Sequence, residues 1–210
     1  MSASSSRLRG LYVILDPDAA GGRALTDILA AAADGGARLF QYRNKRASMK
    51  EAYRQALALR RTAADAGVTF IVNDRCDLAL AVDADGVHLG QDDLPVQDAR
   101  MLMGKEKLIG LSTHNEAQVR AAAKTDADYL GFGPIFTPGS KQDHDPVVGI
   151  DGLKKIRTFT ALPIFAIGGI TAEHVPGIVA AGADGIAVIS AIARAQDVTA
   201  ATRAFVSLFR

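Results

Sequence analysis

Two carboxylates, Asp74 and Asp93, and two cations, Arg43 and Lys45, each stand just after a short apolar run of the chain, and a third cation, Lys141, ends the longest polar loop. Carboxylates and cations gathered around one cavity suit a magnesium ion (Mg2+) that bridges protein to a diphosphate. Magnesium is held by one or two carboxylates and fills its remaining positions with phosphate oxygens and waters. Arg and Lys side chains then meet the phosphate charge that the ion leaves. A further pair, Gly168 and Gly169, follows another apolar run and lets backbone N–H groups approach a second phosphate. The chemistry these residues can do together is the handling of two phosphate-bearing substrates at one mouth.

The elements that must bring them together are strands and helices in alternation. Strands are predicted at 11–15, 38–42, 68–73, 86–89, 108–111, 129–132, 163–167 and 185–189. Each is short, rich in Val, Ile, Leu, Phe or Tyr, and nearly free of polar alternation, as strands buried on both faces are. Ala-rich stretches between them have helical spacing, such as Leu25–Ala33. Ser48 and Glu51 form a capping box that opens a helix to about Asp65, closed by Gly67. Thr113 and Glu116 read as a second capping box, and Pro95 marks a first helical turn. A weak repeat places a small or acidic corner before a strand, at Gly35, Ala84-Asp85, Asp126-Ala-Asp128 and Ala181-Gly-Ala-Asp184. Strict βα alternation implies a parallel sheet, and eight such units imply a single-domain α/β (β/α)8 TIM barrel over residues 10–210, behind a flexible tail at 1–9. An open doubly wound sheet is disfavoured, because Asp16-Pro-Asp-Ala-Ala-Gly-Gly follows the first strand in place of Gly-x-Gly-x-x-Gly. In a barrel of this kind the residues just after the strands form the active face.

Composition narrows the partners. Among 210 residues, 24 Lys and Arg against 23 Asp and Glu leave a formal charge of +1, so no global field recruits nucleic acid. No apolar run reaches the length of a membrane span. The single cysteine, Cys76, excludes an intramolecular disulfide framework. A soluble, reduced, cytoplasmic protein with small-molecule substrates is expected, and a homo-oligomer stays open.

Plainer roles compete for the same residues. Asp74 and Asp93 each precede a predicted helix, where a carboxylate can serve only as an N-cap. Arg43 and Lys45 can be solvated loop charges. Gly168-Gly169 can be only a tight turn, and Ser112 a strand-end hydroxyl bonded to backbone. His88 falls within a strand and reads as a packed core histidine, while His114, His144 and His174 take no role. Capping alone does not explain why carboxylates, cations and a Gly-Gly turn collect on one face.

At these residues the sequence resembles the thiamine-phosphate synthase (thiamine-phosphate pyrophosphorylase) family. The matching segments are Gln41-Tyr-Arg-Asn-Lys45, Phe70-Ile-Val-Asn-Asp74, Gly86-Val-His-Leu-Gly-Gln-Asp-Asp93, Gly131-Phe-Gly-Pro-Ile-Phe136 with Lys141, Ala166-Ile-Gly-Gly-Ile170 and Ala183-Asp-Gly-Ile-Ala-Val-Ile-Ser190. The resemblance implies coupling of 4-amino-2-methyl-5-(diphosphomethyl)pyrimidine with 4-methyl-5-(2-phosphoethyl)thiazole, or its carboxylated form, to give thiamine phosphate and diphosphate. It implies that Gln41, Tyr42, Arg43, Asn44, Lys45, Asn73, Ser112 and Lys141 bind the pyrimidine diphosphate. It assigns magnesium to Asp74 and Asp93, and the thiazole phosphate to Pro138, Gly139, Ser140, Gly169, Ile189 and Ser190. Arg43, Lys45, Lys141 and Ser112 are the expected catalytic group. Two positions depart from the family pattern: Thr137-Pro-Gly-Ser-Lys141 replaces the frequent Pro-Thr-x-Thr-Lys, and Arg75 stands where some members carry a second acid. The implied reaction is a dissociative displacement without a side-chain nucleophile. The competing functions are the sister thiazole tautomerase, another phosphate-sugar barrel enzyme, and a non-catalytic phosphate-binding protein.

Overall fold

The computed structural model of the chain describes residues 8–137 and 145–209. Eight parallel strands close into a barrel in sequence order, β1 pairing with β8. They are β1 (Gly10–Leu15), β2 (Leu39–Tyr42), β3 (Thr69–Asn73), β4 (Gly86–Leu89), β5 (Leu108–Thr113), β6 (Tyr129–Phe132), β7 (Ile164–Ile167) and β8 (Gly185–Val188). Around them lie α1 (Leu25–Asp34), α2 (Met49–Asp65), α3 (Cys76–Ala81), α4 (Val96–Met103), α5 (Glu116–Ala122), α6 (Gly149–Arg157), α7 (Val175–Ala180), α8 (Ser190–Ala193) and α9 (Val198–Ser207). The predicted (β/α)8 barrel is the observed fold. No helix among the described residues is long and apolar enough to cross a membrane.

The strands are buried on both faces, which explains their unbroken apolar sequence. Val13, Phe40, Val72, Val87, Ile109, Leu130, Ala166 and Ile186 pack outward against the helices. Tyr12, Leu39, Ile71, Tyr129, Phe165 and Ala187 pack inward, and Leu8 joins them at 2% exposure. Leu8 thus packs into the barrel although it falls within the stretch expected to be a tail at 1–9; residues 1–7 lie outside the described part.

The acidic corners of the repeat have a physical reason. Asp85, Asp128 and Asp184 each stand at the entry of a strand and accept the backbone N–H of the preceding one. The donors are Phe70, Ile109 and Ile164, at 2.8, 2.7 and 2.9 Å. Each carboxylate also meets an arginine from a helix: Arg60 of α2, Arg100 of α4 and Arg157 of α6. The bottom of the barrel is thus fastened by a device repeated every second unit, away from the mouth.

Capping follows the sequence in part. Ser48 Oγ accepts the Glu51 N–H at 3.3 Å, but the Glu51 carboxylate turns to Gln55 Nε2 at 2.8 Å, so only half of the expected box forms. The second box is not where it was expected. β5 runs on to Thr113, whose buried hydroxyl donates to the Gly131 carbonyl at 3.0 Å. Asn115 caps α5 instead, accepting the Gln118 N–H at 3.0 Å.

Candidate active site

At the C-terminal ends of the strands lies a cavity of about 470 Å³. Gln41, Arg43, Lys45, Asn73, Asp74, Asp93 and Ser112 line it, contributed by β2 to β5 and the turns that follow them. Neither carboxylate is a helix cap. Asp74 precedes the N-cap position of α3, which Arg75 fills, and Asp93 precedes that of α4, which Pro95 fills. Asp74 instead has φ of 63°, a left-handed conformation rare outside glycine, while its N–H donates to the His88 carbonyl at 2.7 Å. Asp93 Oδ2 accepts the Gly90 N–H at 2.6 Å and closes the turn after β4.

These two turns set the carboxyl groups of Asp74 and Asp93 close together at the wall of one cavity. Burial first, and then the neighbouring Asp93, push the Asp74 carboxyl above its ordinary range, while Lys45 opposes the shift. Lys45 Nζ stands 3.4 Å from Asp74 Oδ2. Two anions held together at a cavity wall, with one lysine beside them, form a donor set that fits a hard divalent cation. Among the described residues no group of three or more His, Cys, Asp or Glu forms a metal cage. A pair of carboxylates of this kind matches a magnesium ion that keeps positions for phosphate and water.

Arg43 is fixed from behind. Its guanidinium pairs with Asp16, a carboxylate 6% exposed at the end of β1, and its N–H donates to the Leu15 carbonyl at 3.0 Å. Below these charges the interior is polar but neutral. Gln41, Tyr12, Tyr129, His88 and Ser112 are joined by hydrogen bonds across the barrel. Burial pulls the His88 imidazole down to about 4 and pushes the two tyrosines upward.

A second cavity, about 460 Å³, opens over β7 and β8. Gly168, Gly169, Thr171, Ile189, Ser190 and Arg194 are among its lining, and Ala187 lines both cavities. Gly169 is required at its place. Its φ is 61°, and a Cβ there would lie 2.6 Å from the Thr137 carbonyl oxygen and 2.8 Å from Phe136 Cβ.

A family model described as thiamine monophosphate synthase matches residues 11–192. The chain belongs to the thiamine monophosphate synthase family. The thiamine-phosphate synthase of Chloroflexus aurantiacus is 51% identical to it over 193 residues, 92% of this chain and 89% of that protein. That of Moorella thermoacetica is 47% identical over 193 residues, covering 92% of each. A solved structure of thiamine phosphate pyrophosphorylase from Pyrococcus furiosus superposes with a TM-score of 0.86 at 36% identity, covering 97% of this chain and 96% of that one.

In this member of the synthase family, the residues singled out from sequence divide by the pleat of the strands. Gln41 points into the barrel, whereas Tyr42 points out, 2% exposed, its hydroxyl donating to Gln55 Oε1 at 2.8 Å. Asn44 lines neither cavity. Its Oδ1 accepts the N–H groups of Arg46 and Ala47 at 3.1 and 3.0 Å, and so shapes the loop after β2. Pro138, Gly139, Ser140 and Lys141, with His144, lie outside the described residues. Cys76 is 6% exposed at the start of α3, and burial pushes its thiol up.

Several residues that line or brace the site escaped the sequence reading. Asp16 follows β1 directly, so the position rule that selected Asp74 and Asp93 also points to it. His114 lines the mouth cavity with Nδ1 at 2.7 Å from the Gly133 carbonyl. Tyr12, His88 and Tyr129 lie inside strands, where that rule does not look. Arg194 lies beyond the span matched by the family.

Proposed function

We propose that this chain couples the diphosphomethyl pyrimidine to the thiazole phosphate across the two adjacent cavities, releasing thiamine phosphate and diphosphate. It is a transferase of the thiamine-phosphate synthase type. The observation that carries the assignment of sites is the shared wall at Ala187: a cavity with paired carboxylates and cations lies beside one with a Gly-Gly turn. The first suits a diphosphate and the second a phosphomonoester. In this scheme the C–O bond to diphosphate breaks, the leaving group takes the electron pair, and the thiazole nitrogen forms the new bond to the exposed methylene carbon.

Asp74 and Asp93 would hold magnesium, which when bound supplies Lewis-acid stabilisation of charge on the departing diphosphate. Arg43, braced by Asp16, and Lys45 meet that charge from the protein side, and Lys141 joins them in the resemblance to the family. Asn73 and Ser112 offer neutral donors, and Gln41 reaches the ring from the interior wall. Gly169, Ile189 and Ser190 face the thiazole phosphate, with Pro138, Gly139 and Ser140 assigned there by the same resemblance. An electron-rich aminopyrimidine stabilises a cation at its methylene carbon, so no side-chain nucleophile is needed. A tautomerase would leave the Asp74–Asp93 pair without use.

The test is incubation of the purified chain with both phosphates and magnesium. Formation of thiamine phosphate with equimolar diphosphate is expected. A folded protein that yields neither product from authentic substrates overturns the proposal.

A further inference from the structure

Across the floor of the mouth cavity runs an uncharged chain of hydrogen bonds drawn from five strands. Gln41 Nε2 donates to Tyr12 OH at 2.7 Å, and Tyr12 OH lies 2.9 Å from Tyr129 OH. Tyr129 OH is 3.1 Å from His88 Nδ1, and His88 Nε2 is 2.9 Å from Ser112 Oγ. Gln41, Tyr12, His88 and Tyr129 are 3%, 1%, 8% and 0% exposed, so water does not substitute readily for any link. The sequence reserves space for the chain. A Cβ at Gly110 would lie 2.2 Å from Tyr129 Cζ and 2.4 Å from His88 Nδ1.

The Gln41 amide sets the polarity, and counting protons carries it along the chain. A hydroxyl donates one hydrogen bond, and a neutral imidazole donates from one nitrogen and accepts at the other. With the Gln41 amide as first donor, Tyr12 donates to Tyr129 and Tyr129 to His88 Nδ1, because either buried hydroxyl proton would otherwise meet no acceptor among the described residues. The imidazole proton then sits on Nε2 and is given to Ser112 Oγ. The Ser112 proton is left for the cavity, since Ser112 Oγ has no other hydrogen bond among the described residues. Run backwards, the chain would present the Ser112 lone pairs instead. A diphosphate carries acceptors only, and lone pairs would repel it.

We infer that His88 is a positioning residue: the chain from Gln41 through Tyr12 and Tyr129 locks it as the Nε2–H tautomer, and so makes Ser112 an obligate hydrogen-bond donor to an anion in the mouth cavity. That the anion is the diphosphate of the pyrimidine substrate rests on the function proposed above. Burial supports the lock by keeping the ring neutral at ordinary pH.

Two measurements test this on the whole chain. The first is 15N NMR of the histidine-labelled, substrate-free protein at neutral pH, with the His88 signals assigned by their loss in His88→Gln. A proton on Nε2 and a bare Nδ1 are expected; a proton on Nδ1 overturns the inference. The second uses Tyr129→Phe, which keeps the ring and removes the link to Nδ1. Its turnover should fall by about tenfold to a hundredfold, the scale of one lost hydrogen bond to a charged group. In a Ser112→Ala background the same change should have almost no further effect, because the lock has nothing left to orient. An equal fall in both backgrounds means that Tyr129 acts without Ser112, and the inference is dropped. Should Tyr129→Phe fail to fold, the NMR result on the unaltered chain decides. Absence of coupling by the unaltered chain would strike the proposed function and leave the tautomer to be judged by NMR alone.

Discussion

Lys45 Nζ stands 3.4 Å from Asp74 Oδ2, a single positive charge beside a carboxyl that also faces Asp93. One lysine, 59% exposed at its side chain, does not balance two anions. Asp74→Asn and Asp93→Asn should each lower coupling by roughly 10²–10³, the scale of losing one well-placed charge-stabilising group. Calorimetric titration with magnesium and diphosphate together should show weakened metal binding in both. Near-full activity in either variant at unchanged magnesium would remove that residue from the metal site.

Asp16 is expected to matter through Arg43. Asp16→Ala should reduce kcat/KM for the pyrimidine diphosphate about tenfold, equivalent to ~1.4 kcal/mol, by freeing the guanidinium from its brace. Arg43→Lys should recover little of what Arg43→Ala loses, because a compact ammonium does not reproduce the planar fork that Asp16 holds. Steady-state kinetics on the three variants checks this, and an unaffected Asp16→Ala enzyme would show that Arg43 needs no support.

The second cavity calls for a gentler change than one at Gly169. Gly169→Val meets both the positive φ and the Thr137 carbonyl, so its melting temperature should fall along with its activity. Arg194→Gln avoids this, since Arg194 is exposed on the lip of the cavity. It should raise KM for the thiazole phosphate about tenfold, the worth of one charge-assisted hydrogen bond. KM for the pyrimidine diphosphate should stay within about twofold. Equal rises for both substrates would dissociate Arg194 from the thiazole phosphate.

Stability should depend on pH through His88. Its folded pKa is held at about 4 by burial, below the ordinary 6.5. Between these values the unfolded chain takes up a proton that the folded chain refuses. The stabilisation is therefore complete above about pH 6.5 and is lost as pH falls toward about 4, by about 3 kcal/mol in all. Denaturant titrations across this window should show a steeper decline for the unaltered chain than for His88→Gln. Parallel declines would mean that the folded imidazole accepts the proton.

Lys141→Ala should reduce turnover by roughly 10² with a smaller effect on pyrimidine-diphosphate affinity, as expected of a cation that meets charge mainly while the bond breaks. Unchanged turnover with much weaker binding, measured directly, would make Lys141 an anchor for the ground state.

The order of strands and helices was legible in the sequence because each buried strand needs a short apolar run and each helix a start and a stop. The face of the barrel that bears the chemistry was legible as well. Asp74, Asp93, Arg43 and Lys45 follow strands, and a parallel barrel puts all such positions at one end. Thr113 was misplaced because a hydroxyl can cap a helix or bond a neighbouring strand's carbonyl, and only the extension of β5 alongside β6 chooses between them. Tyr42 stood in the same run as Gln41, yet the pleat sends the two to opposite faces. Where both faces of a strand are buried, apolar sequence carries no sign of which residue looks inward. Only closure of the barrel, β1 against β8, supplies that sign. The same closure brings Tyr12, His88 and Tyr129 from three strands into contact and decides what stands beneath the mouth.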